Sequence, residues 1–186
     1  MQTATRLFSF ARISCAVVAT VFAAAGSAAA DATISFDPLN GVFTGADTLT
    51  VQVTVDVGAA DLQGYTMVLE FDPSIVAPIS VEGGSLLTGA ACPNFFTWLN
   101  SGAVGDSLEI DAAALGCSID GPGNVVELKF VGVSVGVSPL TCRSLDLRDS
   151  LNDTIPSSCV DGTVEYRIPI AVTEQTWGRV KAGYRR

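Results

Sequence analysis

Glu109 and Asp111 lie in the alternating run Leu108-Glu109-Ile110-Asp111-Ala112-Ala113. Side chains two apart on an extended chain share a face, so both acids point the same way. Paired carboxylates held about 5 to 10 Å apart in a cleft hydrolyse glycosides. On an exposed strand of an acidic chain such neighbours are solvated instead, and no catalytic residue is expected. Asp146, Asp149, Asn152 and Asp153 gather oxygen donors of the kind calcium takes, in a segment that reads as a loop. Their spacing lacks the calcium-loop pattern of a helix–loop–helix hand, so turn polarity explains them, and neither a metal nor a cofactor is expected. Trp98, with Phe95 and Phe96 before it, would stack on sugar rings if it faced solvent beside Asn100, but alternating aromatics in a packed strand ordinarily face inward. The 186 residues contain no histidine. That removes Ser-His-Asp and Cys-His nucleophiles, His-ligated zinc or haem, and imidazole proton transfer at neutral pH.

Redox chemistry is confined to cysteine, and here the compartment matters. Residues 1–30 hold Arg6 and Arg12 but no acid, run through an apolar stretch at 13–25 and end on Ala28-Ala29-Ala30. This is the pattern of a signal peptide cleaved before Asp31, and the apolar run is too short for a spanning helix. Cys15 lies inside it. Cys92, Cys117, Cys142 and Cys159 remain, an even set that in an oxidising compartment favours two disulfides among three possible pairings. The sequence-local choice is Cys92 with Cys117 and Cys142 with Cys159, stapling two separate loops. The expected location is outside the cytoplasm: extracellular, at the cell surface or in the periplasm, with no transmembrane span in the mature chain.

Charge excludes another class. Residues 31–166 carry 18 acids against Lys129, Arg143 and Arg148, a net of −15, which repels phosphate backbones and argues against nucleic acid. Residues 167–186 reverse the sign, with five basic residues and Glu174. In that tail Trp177, Val180 and Tyr184 fall at helical spacing between basic residues, after the Pro-punctuated 167–170 linker. An anchoring tag and a disordered basic end are both consistent with this composition.

The elements that must position these side chains are strands. Leu49, Val51, Val53, Val55 and Val57 alternate with Thr50, Gln52, Thr54 and Asp56, placing one β-branched face in a core. Tyr65, Met67, Leu69 and Phe71 repeat the pattern and leave Gly64, Thr66, Val68 and Glu70 on the other face, before Asp72-Pro73 turns the chain. Further strands read at 33–36, 75–81, 95–99, 107–113, 125–137 and 162–166. Within 125–137 the apolar parity flips near Phe130, which predicts a bulge or a change of sheet. No helix is convincing, and the whole reads as an all-β sandwich.

The order of these features over residues 34–166 resembles a cohesin domain. The carriers are Gly64 to Val76 with its Phe71-Asp72-Pro73 ending, Gly84-Ser85-Leu86-Leu87, the Leu108 to Ala113 strand, Gly121-Pro122-Gly123-Asn124-Val125-Val126-Glu127-Leu128-Lys129-Phe130, and the closing Asp161-Gly162-Thr163-Val164. The resemblance implies a nine-stranded jelly-roll β-sandwich, related to carbohydrate-binding sandwiches, over 31–166. It implies adhesion rather than catalysis: cohesins grip a dockerin, a small helical calcium-loaded module, on one flat sheet face. Here that face would hold Gly64, Thr66, Val68, Glu70, Glu109 and Asp111. Cellulosomal cohesins commonly place Asn and Asp at the positions of Gly64 and Thr66. The partner implied is therefore a dockerin-like or other surface protein, in a setting linked to polysaccharide degradation. A carbohydrate-binding module and a structural envelope component are the alternatives.

Overall fold

A computed structural model describes residues 31–102 and 105–169. The proposed signal peptide and most of the basic tail, including Trp177 and Tyr184, lie outside the described residues. Twelve strands and one short helix follow in order: β1 Ala32–Asp37, β2 Asn40–Thr44, β3 Thr48–Val55, β4 Leu62–Glu70, β5 Val76–Gly83, α1 Ser85–Thr88, β6 Asn94–Ser101, β7 Ser107–Ala114, β8 Gly123–Gly132, β9 Gly136–Asp149, β10 Thr154–Ile155, β11 Ser157–Cys159 and β12 Gly162–Arg167. They form a five-stranded sheet, β11-β1-β3-β8-β5, and a seven-stranded one, β2-β12-β9-β4-β7-β6 with β10 on β9. The all-β sandwich is as expected, with the nine strands of the resemblance divided more finely by the short β2, β10 and β11.

Alternation builds the core. Val51, Val53 and Val55 of β3 and Val126, Leu128 and Phe130 of β8 face Met67, Leu69, Leu108 and Ile110 of the other sheet, all buried. Phe130 meets Phe71 edge-on, ring centroids 6.0 Å apart. Each such side chain contributes roughly 1.5–3 kcal/mol by leaving water. Tyr65 adds a polar tie across the layers, its phenol donating to the Val125 carbonyl at 2.7 Å. Burial pushes that phenol well above its ordinary range.

The change of sheet expected near Phe130 is present, but the odd-numbered valines that suggested it do not enter the core: Val133, Val135 and Val137 are exposed, and the inward positions stay even-numbered, Phe130 before the crossing and Leu140 after it. β8 ends at Gly132, the chain bends through residues 133–135, and β9 starts in the opposite sheet. The bend is held where the Ile75 carbonyl accepts the N–H groups of Val133 at 2.8 Å and Ser134 at 3.3 Å. Two expectations are corrected. Val57 is 70% exposed, because β3 stops at Val55 and Asp56 turns the chain by accepting the N–H groups of Thr33 and Gly58, each at 2.9 Å. Asp146 and Asp149 lie on β9, not in a loop, since β9 runs fourteen residues through the middle of its sheet. Along this stretch Leu145 and Leu147 face the core while Asp146 and Arg148 face out.

The disulfides pair Cys92 with Cys117 and Cys142 with Cys159, with Cα atoms 6.1 and 6.2 Å apart. Only the first staples two loops. Cys142 sits on β9 and Cys159 on β11, so the second bond joins one sheet to the other.

Candidate functional site

The outward residues Gly64, Thr66, Val68 and Glu70 meet Glu109 and Asp111 because β4 and β7 pair antiparallel with Thr66 opposite Asp111 and Val68 opposite Glu109. Opposed residues of a pleated pair project to the same side, so the predicted six form one patch. The flanking strands extend it into rows. Phe95, Ala113, Gly64 and Arg148 make one, Thr97, Asp111, Thr66 and Asp146 the next, and Leu99, Glu109, Val68 and Ser144 a third.

The first row contains a trough of about 530 Å³, walled by Phe95 on one side and by Arg148, Asp149 and Asn152 on the other, with Gly64 and Ala113 as its floor. A side chain at Gly64 would start only 3.2 Å from the Ala112 carbonyl and rise into this space. Glycine here keeps the floor low. Asp111, Asp146 and Asp149 all line the trough, yet each is engaged. Thr66 Oγ1 donates to Asp111 Oδ1 at 2.6 Å. Arg148 donates to Asp146 Oδ2 from Nε at 2.9 Å and Nη2 at 2.8 Å, and also reaches the Asn152 carbonyl at 3.2 Å. Asp149 Oδ1 accepts the N–H groups of Leu151 at 2.9 Å and Asp153 at 2.8 Å, which closes the β9–β10 turn. Asp146 is thus held in an ion pair and Asp149 in a turn, to which Asp153 contributes its backbone N–H. Among the described residues no three acids or cysteines stand close enough to hold a metal. Glu109 points to solvent between Val68 and Leu99.

Lower on the face a bulge inserts Arg143 between Ser144 and Cys142, and its guanidinium reaches Glu70 at 3.1 Å. Phe95 is 50% and Leu99 60% exposed, both outward on β6. Trp98 pairs with buried Ile110, so it shares the core-facing side with Phe96 and Asn100, but it overhangs the end of the sheet and stays 39% exposed. This corrects the expectation of buried aromatics: β6 is the last strand of its sheet, and only Phe96 finds neighbours, among them Gly83 on the opposite layer. Arg143, Arg148, Phe95 and Leu99 were not among the predicted face residues. The alternation Leu145-Asp146-Leu147-Arg148 carried the signal for β9, and the density of acids obscured it.

The sequence matches no known family profile and no curated protein. Solved structures do match. A non-cellulosomal cohesin from the archaeon Archaeoglobus fulgidus is similar with a TM-score of 0.61 at 15% identity, over 84% of this chain and 100% of that one. A type I cohesin solved in complex with a dockerin from Clostridium thermocellum gives 0.61 at 17%, over 74% and 100%. A type II cohesin domain from the cellulosome of Acetivibrio cellulolyticus gives 0.61 at 13%, over 72% and 94%. At these identities the likeness speaks for architecture, and the architecture of this chain is the cohesin fold.

Proposed function

We propose that the chain is an exported, non-catalytic binding module whose β6-β7-β4-β9 face docks a helical, dockerin-like protein. The carrying observation is the face itself. Phe95 and Leu99 at the margin and Val68 nearer the middle stand outward among carboxylates already engaged with Thr66, Arg148 and Arg143, so the face mixes exposed apolar side chains with paired polar ones, as docking surfaces do. Several of the similar structures are cohesins in complex with dockerins. Where cellulosomal cohesins commonly carry Asn and Asp, this face has Gly64 and Thr66, with Thr66 committed to Asp111. A partner helix therefore meets a trough and the Arg148–Asp146 pair in place of two free polar anchors, and a standard dockerin would leave its own polar groups unmatched. Export is supported by the acid-free start of the sequence and by two disulfides. One similar cohesin is a module of a family 33 glycoside hydrolase, so attachment of polysaccharide-degrading enzymes is a setting this reading accommodates.

The test is capture of surface proteins on the purified protein, followed by hydrogen exchange of the complex. Slowed exchange in β4 and β7 with β3 and β8 unchanged is the expected footprint. Protection confined to the five-stranded sheet, or tight binding to a polysaccharide array with no protein retained, would overturn the reading.

A further inference from the structure

We infer that β6 is a self-pairing edge through which two copies of this chain join their seven-stranded sheets. A sheet edge presents unpaired N–H and C=O groups, and soluble proteins blunt such edges with short strands, proline, charge or bulges. Among the described residues, three of the four sheet edges are blunted. β11 has three residues and β2 five, while β5 carries Pro78, a bulge between Pro78 and Ser80, and exposed Glu82. β6 has none of these devices. Its eight residues, Asn94–Ser101, contain no charge and no proline, and its ladder with β7 runs unbroken from Asn94 opposite Ala114 to Ser101 opposite Ser107.

The choice of a second copy rests on self-complementarity. A two-fold axis perpendicular to the sheet through Thr97 sets two β6 strands antiparallel with every opposed pair on a common side, as the pleat demands. On the outer side Phe95 then faces Leu99 of the other copy, and on the inner side Phe96 faces Trp98 and Asn94 faces Asn100. Aromatic–aromatic and aromatic–aliphatic cross-strand pairs are the favourable kind. They also cover the two aromatics, Phe95 and Trp98, that one copy leaves exposed. The acidity of the body does not oppose this. The nearest outward acids in the central row, Asp111 and its counterpart, would stand three strand spacings apart, about 14 Å, beyond the roughly 8 Å screening length at physiological salt. One strand pair is a small interface, so the dimer is weak and forms in the micromolar range or above. It sets two β6-β7-β4-β9 faces side by side in one continuous sheet. The inference does not depend on what docks there.

Sedimentation velocity of the protein purified from cells expressing the full chain, from about 5 to about 500 µM, should show mass rising toward the dimer. Thr97→Lys places like charges at the axis and should weaken association roughly tenfold or more, with circular dichroism unchanged. Thr97→Cys should yield a disulfide between the two residues 97 in air, identified by peptide mapping, because that residue alone faces its own copy. A monomer at every concentration, a dimer indifferent to Thr97→Lys, or no link through residue 97 would each overturn the inference. So would protection of β6 amides by a foreign partner in a strictly monomeric protein, which would give the edge to another protein's strand.

Discussion

The two outer faces of the sandwich are built from the same alternation and have opposite characters. On the five-stranded sheet, Thr50, Gln52 and Thr54 stand beside Glu127, Lys129 and Asn124, with Ser80 and Glu82 beyond them. The Ser35 and Thr54 hydroxyls meet at 3.0 Å, and Lys129 lies 3.2 Å from Glu127. These contacts run along the sheet and leave that face without an outward aromatic of the kind Phe95 supplies on the other. On the seven-stranded sheet Phe95, Leu99 and Val68 interrupt the polar pattern and a trough opens at Gly64. A hydrophobic core needs only the inward half of each strand, so the outward half is free to differ. Where it departs from plain solvation is where function is to be sought.

Four perturbations test that asymmetry. The largest concerns the bond that makes the faces interdependent. Replacing both Cys142 and Cys159 by serine opens a loop of sequence separation 17 and should lower stability by about 3 kcal/mol in urea unfolding. A loss of only a few tenths would mean that the sheets hold together without it. Next in size, Val68→Arg should weaken retention of a captured partner by about 30-fold, near 2 kcal/mol, while Gln52→Arg on the opposite face changes it less than about twofold. Equal losses would erase the distinction between the faces.

Tyr65→Phe should cost about 1 kcal/mol and no more, because the Val125 carbonyl keeps the Gly84 N–H at 2.8 Å. The phenol also carries a pH signature. Its folded pKa lies above the unfolded value of about 10, so its contribution is complete below that pH and is lost as pH rises toward the folded value. Alkaline unfolding above about pH 10 should therefore be less steep in Tyr65→Phe than in the parent. The smallest effect is expected from Lys129→Ala. The Lys129–Glu127 pair is substantially exposed on the polar face, and its removal should move stability by less than about 0.5 kcal/mol and leave partner retention unchanged.

How far the sequence revealed all this follows from what each strand has to encode. β3, β4 and β7 are sandwiched between neighbours and bury one face, so their period of two is written plainly, and with it the outward set from Gly64 to Asp111. β9 was hidden because the bulge at Arg143 breaks its parity and its outward acids mimic a loop. β2 is five residues pairing in parallel with β12, a partner more than a hundred residues away, and nothing local announces it. The same limit applies to the site. Parity shows which side a residue takes within its strand, whereas the approach of Phe95 and Arg148 to opposite walls of one trough depends on which strands become neighbours. The cysteine pairing was legible because near neighbours were the simplest choice, but its cross-sheet role was not, since the switch of β9 into the other layer decides it.

That cross-sheet bond has a mechanical side. A tether gripping the seven-stranded face pulls on β9, and the Cys142–Cys159 link hands the tension directly to β11, which pairs with β1 in the opposite layer. Under traction the two layers must yield together or break a covalent bond, so a sandwich made this way resists having one layer peeled from the other.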